Sequence, residues 1–242
     1  MTAVDLRGIG RTDLVLGNLG LNSYLRASRL EPARLYVSDF AHTGALQQVL
    51  TFYKDGVSYP MHSRDELERA IPSLRTRYGS YAAFGASRVE DIFTSSELRQ
   101  ATVLEAKTFA SVVALNNGNG TFSLRTLPTE AQFSPIYAVL AEDFDGDGRR
   151  DLLVGGNFLG APPSQGRYDA SYGLLMRGRG DGSFAALDME ASKLLIEGEV
   201  RHMKMLRGAR GERFIIVARN NNTVQVIRPL GMRAAPPASS PR

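Results

Sequence analysis

Four carboxylates in one short segment of the chain have the spacing of a calcium-binding loop. They are Asp143, Asp145, Asp147 and Asp151, at positions 1, 3, 5 and 9 of that segment. Gly148 at position 6 permits the tight turn, and the backbone carbonyl of Arg149 at position 7 offers one more oxygen. Calcium accepts a flexible shell of oxygen ligands, whereas magnesium requires octahedral geometry and keeps several waters. The sequence therefore predicts a calcium ion bound by the four aspartates, the Arg149 carbonyl and water.

The residues on either side of this loop predict strands rather than helices. Residues 136–140 and 152–156 are short apolar runs of the kind that form buried strands. An EF-hand would need a helix on each side and a bidentate glutamate at position 12, where this chain has Val154. Without a cation, carboxylates ~4 Å apart repel by about 4 kcal/mol per pair at an effective dielectric of about 20. We therefore expect the ion to clamp a β-hairpin loop; the alternative is a solvated acidic turn.

Composition excludes several other kinds of site. The chain has 242 residues, 43% of them hydrophobic, and no cysteine, which excludes disulfides, thiolate metal sites and cysteine nucleophiles. No apolar run approaches the ~20 residues that a membrane-spanning helix needs, and no signal peptide is recognisable. The net charge of +4 comes from arginines dispersed among acids. This pattern is typical of solvated surface, so no nucleic-acid partner is predicted.

Three segments share the pattern of the acidic loop, but only one keeps all of its acids. The first begins at Asp5 and keeps Asp13 at position 9, while positions 3 and 5 are Arg7 and Ile9. The second begins at Asp39 and keeps no other acid. Every copy has a glycine at position 6, namely Gly10, Gly44 and Gly148. The repetition predicts three similar hairpin loops, of which one binds an ion.

Glycine-rich segments predict further hairpin turns. Residues 116–122 and 177–184 each place an Asn-Gly or Asp-Gly pair shortly before a phenylalanine, and a third turn is predicted at 207–211. The second segment contains Arg-Gly-Asp at 179–181. That tripeptide is an integrin ligand in other settings, but between two further glycines it indicates a turn.

Residues 62–105 differ from the rest because they have helical spacing. Ser63 with Glu66, and Ser87 with Glu90, form the pattern of a capping box. Apolar residues recur at helical spacing after the first box: Leu67, Ala70, Ile71, Leu74 and Tyr78. We interpret the segment as a helical insertion between strands of one β-unit.

The acidic loop and the residues that follow it resemble a known family. The pattern Asp-x-Asp-x-Asp-Gly-x-x-Asp-Leu at 143–152, followed by apolar residues and Gly-Gly-Asn, is similar to an FG-GAP or VCBS repeat. Residues 13–22 and 167–173 resemble parts of bacterial secreted VCBS-type proteins that are often joined to an ASPIC/UnbV domain. The likeness covers about residues 4–228. It implies an integrin-α-like β-propeller that is stabilised by calcium, is not catalytic, lies outside the cell and binds proteins or glycans.

The chain is short for such a ring. A propeller has ~4–8 blades, and at roughly 60 residues per repeat the chain holds about three to four. The predicted fold is therefore mainly β: a partial β-propeller at 1–230 with a helical insertion near 62–105, then a disordered tail at 231–242. We expect a C-terminal or truncated portion of a secreted, periplasmic or cell-surface parent. Open sheet edges would then favour self-association.

One segment predicts a ligand-binding rim. Arg167, Tyr168, Asp169 and Tyr172 follow a loop that contains prolines and glycine, and tyrosine and arginine are typical anchors for a protein or carbohydrate partner. A structural interaction between Asp169 and Arg167 is the alternative.

No motif in the chain predicts catalysis. His42, His62 and His202 are isolated, and no phosphate-binding loop or nucleophile elbow is present. The predicted function is thus a non-catalytic, calcium-binding module for protein or glycan binding. Two alternatives stay open: a propeller-based lyase or hydrolase with a site in the central channel, and a gene fragment without independent function.

Overall fold

Short antiparallel strands joined by tight turns make up most of the chain, which confirms the prediction of a mainly β protein. A computed structural model describes residues 1–162 and 165–229, and the predicted tail at 231–242 lies outside them. The strands are β1 Thr2–Val4, β2 Asp13–Leu16, β3 Ala33–Ser38, β4 Gln47–Lys54, β5 Val57–Pro60, β6 Thr102–Ala106, β7 Val112–Asn116, β8 Phe122–Thr126, β9 Ile136–Glu142, β10 Asp151–Gly156, β11 Leu174–Gly178, β12 Phe184–Ala186, β13 Val200–Arg207, β14 Arg213–Arg219 and β15 Gln225–Ile227. The α-helices are α1 Arg64–Ala70, α2 Tyr81–Gly85, α3 Val89–Ile92, α4 Ser95–Gln100 and α5 Met189–Ser192, and 3-10 turns span Pro72–Thr76 and Thr129–Gln132.

The chain divides into two compact units. One is Leu25–Phe109, which we call the inserted unit, and the chain on either side of it forms the main unit. The insertion enters between two neighbouring strands of one sheet, because β2 pairs with β7 through partners such as Leu16 and Val112. The sheet of the main unit is thus continuous in space across a long interruption in sequence.

The described residues of the main unit form three antiparallel sheets. The N-terminal sheet has the order β1-β2-β7-β8, the middle sheet β12-β11-β10-β9 and the C-terminal sheet β13-β14-β15. Each sheet is a meander, in which strands that follow one another in the main unit are also hydrogen-bonded neighbours. Short turns can join antiparallel neighbours. The glycine-rich segments accordingly fall between β7 and β8, between β11 and β12, and between β13 and β14.

Strand β10 is the centre of the main unit, because it is buried on both faces. Leu152 and Val154 belong to a core cluster shared with Val15 and Val113 of the N-terminal sheet. Leu153 points the other way, into a cluster shared with Met203 and other residues of the C-terminal sheet. Alternate side chains of a strand point to opposite faces. The continuous apolar run after the acidic loop thus reflects a strand between two layers of packing.

The inserted unit has its own sheet and its own core. The sheet order is β5-β4-β3-β6, and helices α1 to α4 lie between β5 and β6 in the chain. Its core cluster combines sheet residues such as Tyr36 and Val49 with helical residues such as Leu67 and Ile92. The inserted unit is therefore larger than the helical segment predicted at 62–105, because three strands precede the helices and β6 follows them. The second loop copy, which begins at Asp39, joins β3 to β4 and belongs to this unit.

One predicted capping box is confirmed and the other is wrong. Ser63 caps α1, and its backbone N–H donates to the Glu66 carboxylate at 2.8 Å. Helix α3 instead begins after Arg88, whose backbone N–H donates to Asp91 at 2.8 Å, while the Ser87 hydroxyl donates to the Ala83 carbonyl. Ser87 is therefore engaged by the end of α2, which places the start of α3 one residue later. None of the described helices has the length and apolarity that crossing a bilayer requires.

Candidate metal centre

The acidic loop connects β9 to β10 as a β-hairpin, as predicted. Strand β9 ends at Glu142 and β10 begins at Asp151, and these two residues are paired at the base of the loop. Position 6 is Gly148 with φ of 86°, a left-handed conformation that is readily available only to glycine. The glycine at this position therefore allows the loop to fold back on itself.

Backbone N–H groups hold the first aspartate of the loop in place. The N–H of Gly146 donates to Asp143 Oδ1 at 2.7 Å, and that of Gly148 donates to Oδ2 at 3.0 Å. The N–H of Asp147 donates to Asp145 Oδ1 at 3.2 Å. The loop thus directs its own amide dipoles at its carboxylates and pre-arranges them.

Asp151 is the buried member of the acidic group. It is 1% exposed, its Oδ2 accepts the Phe144 N–H at 2.9 Å, and its Oδ1 accepts the Gly178 N–H at 2.9 Å. Burial raises the pKa of this carboxyl, and the charges of Asp145 and Asp147 raise it further against the opposing effect of the two N–H donors. A cation beside Asp151 would offset both the desolvation of this carboxylate and its repulsion by the neighbouring acids.

Three of the predicted ligands converge. Asp143, Asp145 and Asp151 each offer a carboxylate oxygen, and these atoms all lie within 4.8 Å of one another. Asp147 lies outside this group, with its Oδ1 accepting the Arg149 N–H at 2.8 Å. The role of the Arg149 carbonyl stays a prediction. A set of hard carboxylate oxygens suits a hard divalent cation.

The two other loops have the same backbone scaffold. In the first loop the Gly10 N–H donates to Asp5 Oδ2 at 2.7 Å, and in the second the Gly44 N–H donates to Asp39 Oδ2 at 2.7 Å. The N–H groups of Thr43 and Gly44 lower the pKa of Asp39. The same bond joins positions 6 and 1 in the acidic loop. The predicted repetition of the loop is therefore confirmed in its geometry.

In the first loop a guanidinium takes the place where the acidic loop gathers its carboxylates. Arg7, at position 3, places Nη2 2.8 Å from Asp13 Oδ1 and Nε 3.3 Å from Oδ2. Asp13 is fully buried and corresponds to Asp151. A positive charge that the chain itself supplies thus lies beside the position 9 carboxylate in this copy. The sequence shows an arginine at position 3, but its role follows only from this contact.

The second loop has uncharged residues at positions 3 and 9. Its position 9 is Gln47, whose Oε1 accepts the Ala41 N–H at 3.0 Å. A neutral amide here accepts a loop N–H, as the carboxylates of Asp151 and Asp13 do in the other two loops.

The predicted hairpin turns are confirmed, and one of them touches the acidic loop. The Asn117 N–H donates to the Thr121 carbonyl, and the Arg179 N–H donates to the Ser183 carbonyl, each at 3.0 Å. Asp181 accepts the Ser183 hydroxyl and N–H, and these bonds lower its pKa to about 2. The Arg-Gly-Asp tripeptide is therefore part of this turn. Gly178, just before the tripeptide, donates its N–H to Asp151 in the acidic loop.

The four predicted rim residues differ in their exposure. Tyr168 is buried, and its backbone pairs with Phe158 through bonds of 2.8 and 3.1 Å. Arg167, Asp169 and Tyr172 are exposed. The structure thus makes Tyr168 an interior packing residue, while ligand binding by the other three stays a prediction.

Comparison with known proteins supports one part of the resemblance. Residues 100–154 match the family of FG-GAP-like repeats, and this segment contains the whole acidic loop. No curated protein and no solved structure matches the chain. The match supports an FG-GAP repeat protein and leaves the narrower likeness to bacterial secreted VCBS-type proteins as a prediction.

Proposed function

We propose that the main unit is a non-catalytic β-propeller module whose acidic loop binds one calcium ion, and that it binds a protein or carbohydrate at the cell surface or outside the cell. The convergence of Asp143, Asp145 and Asp151 on a preformed loop carries the metal part of this proposal. The first loop supports it, since Arg7 provides a cation at the matching place. The extracellular setting rests on the FG-GAP match and on the resemblance.

Calcium would link the ends of strands and would take no part in a reaction. Asp143 follows β9, Asp151 begins β10, and the Gly178 N–H at the end of β11 donates to Asp151. An ion shared by these carboxylates would tie the ends of three strands together and relieve the repulsion among the acids. The expected effect is therefore a more stable middle sheet and a more rigid loop.

The propeller part of the proposal is supported by how the sheets share their cores. One cluster joins the N-terminal and middle sheets, and another joins the middle and C-terminal sheets. Successive four-stranded meanders that pack through their faces are the building principle of a propeller. In this proposal the three sheets of the main unit are blades.

Two exposed regions support a binding role. Arg167, Asp169 and Tyr172 lie in the connection between β10 and β11, where loops commonly carry recognition. The edge strands β8 and β15 expose Leu124 and Val226, which are 65% and 59% accessible. Such edges favour pairing with another chain, which is the basis for proposing self-association.

Thermal unfolding in calcium and in EDTA tests the metal site. The purified protein should melt at a higher temperature in calcium, since an ion that binds only the folded state adds about 2.7 kcal/mol at 100 times its Kd. Asp145→Asn should lose most of this increase, because it removes one of the three converging carboxylates. A magnesium arm tests the preference for calcium.

The matched control is Asp55→Asn, which makes the same change at an exposed turn residue in the inserted unit. It should keep the full response to calcium. An unfolding temperature that is identical in calcium and EDTA for the unmodified protein would contradict the proposed function.

A further inference from the structure

Arg177 reaches the acidic loop from a neighbouring strand. It lies on β11, and its Nε is 3.2 Å from Asp145 Oδ2. The next residue, Gly178, donates its N–H to Asp151. Strand β11 therefore contacts two of the three converging carboxylates, one through a charged side chain and one through the backbone.

Both oxygens of Asp145 have partners in this arrangement. Oδ2 faces the Arg177 guanidinium, and Oδ1 accepts the Asp147 N–H at 3.2 Å. Each carboxylate oxygen has two lone pairs, so a metal ion that takes an Asp145 oxygen as ligand would lie directly beside one of these partners. It would also repel the guanidinium, because both are positive.

The first loop shows what such a guanidinium can do. Arg7 is part of the loop itself and holds Asp13 through both guanidinium contacts, so an internal cation replaces the need for an ion. Arg177 differs because it comes from outside the loop and leaves all the aspartates in place. Its side chain is 57% exposed, whereas that of Arg7 is 20% exposed, so Arg177 has room to move away.

We infer that the Arg177 guanidinium competes with the metal ion for Asp145 and thereby lowers the affinity of the loop for calcium. Its guanidinium pairs with Asp145 in the ion-free protein and moves off when the ion binds. This inference rests on the proposed function, because it requires that the loop binds calcium. In the ion-free protein the pair of Arg177 with Asp145 would reduce the repulsion among the acids. The same pair would weaken calcium binding.

The test is a calorimetric calcium titration of the full chain and of Arg177→Met. Exposed ion pairs contribute modestly, so we expect the variant to bind calcium about two- to fivefold more tightly. The difference should shrink at high salt, which screens exposed charges. In EDTA the same variant should melt below the unmodified protein, and in saturating calcium the two should melt alike.

The matched control is Arg150→Met. Arg150 is in the same loop, is 47% exposed and pairs with Glu142 at 3.7 Å, which is outside the converging group. This variant removes one positive charge from the same neighbourhood but leaves the pair of Arg177 with Asp145 in place. It should therefore change calcium affinity less than Arg177→Met does. Arg177→Lys keeps the charge and should bind calcium almost as the unmodified protein does.

The outcomes separate the two proposals. If the unmodified protein binds no calcium, the proposed function fails and the inference fails with it. If it binds calcium but Arg177→Met and Arg150→Met have equal affinities, calcium binding stands and the competitor role of Arg177 is wrong.

Discussion

At the scale of single residues, the acidic loop and the first loop differ in the charge at position 3. The acidic loop has Asp145 there and gathers carboxylates, whereas the first loop has Arg7 there and pairs it with Asp13. Both loops keep an aspartate at positions 1 and 9 on the same backbone scaffold. Among the three positions whose carboxylates converge in the acidic loop, the two loops therefore differ in one side chain.

Arg7→Asp should convert the first loop into a second metal site. It restores acids at positions 1, 3 and 9, which are the positions of the three converging carboxylates in the acidic loop. In EDTA the variant should be destabilised by about 3 kcal/mol, because removing one partner of a buried ion pair leaves an uncompensated charge. In calcium it should regain most of that loss, and calorimetry should find two ions per chain instead of one.

Arg7→Met is the control for this conversion. It also leaves Asp13 without its guanidinium, so it should be destabilised in EDTA, but it adds no carboxylate and should regain little in calcium. If Arg7→Asp responds to calcium no more than Arg7→Met does, the shared scaffold is insufficient to make a site.

At the scale of elements, a glycine at the end of β10 is fixed by close packing. A Cβ on Gly156 would lie 1.6 Å from the Pro135 carbonyl oxygen, which accepts the Asn157 N–H at 3.2 Å. A Cβ on Gly148 would meet nothing within 4 Å, although φ there is positive. Backbone contact constrains the first glycine, whereas backbone conformation alone constrains the second.

Gly156→Ala should therefore destabilise the protein more than Gly148→Ala does. Strain in a left-handed conformation costs about 1–2 kcal/mol for alanine, which is the loss expected for Gly148→Ala. Gly156→Ala should cost about 3 kcal/mol or more, because the strand end must separate from Pro135. Urea unfolding of both variants in saturating calcium measures the two losses, and equal losses would show that β10 can shift without penalty.

The features predicted well from the sequence are those that depend on neighbouring residues. The acidic loop, the two degraded copies and the Asn-Gly and Asp-Gly turns are set by short-range spacing and by glycine, so their hairpins were predictable. The contact of Arg177 with Asp145 was not, because strand order brings together residues that are distant in the sequence. Strand β6 likewise overlaps the segment that the sequence predicts as helical, since its pairing with β3 is long-range. The local pattern predicts Tyr168 on a rim, whereas the structure buries it, because burial depends on contacts that a local pattern does not contain.

At the scale of the whole molecule, one sheet is interrupted by a unit that has its own core. Among residues 1–162 and 165–229, the core cluster of the inserted unit contains only residues of that unit, and the two clusters of the main unit contain only residues of the main unit. The N-terminal sheet closes across the interruption, where the Asn18 N–H donates to the Ser111 hydroxyl at 3.0 Å. A short connection between β2 and β7 would therefore be sufficient.

Replacing Leu25–Phe109 with a flexible linker should leave the main unit folded and responsive to calcium. Asn18 and Ser111 are in contact, and only a few residues separate them from Tyr24 and Ala110, so a linker of about ten residues, which spans up to ~33 Å, closes the gap. The shortened chain should unfold cooperatively, and its melting temperature should rise with calcium as in the full chain. A control with the same linker added between Tyr24 and Leu25 keeps the inserted unit and isolates the effect of the linker. A shortened chain without a cooperative transition, beside a control that has one, would show that the main unit needs the inserted unit despite their separate cores.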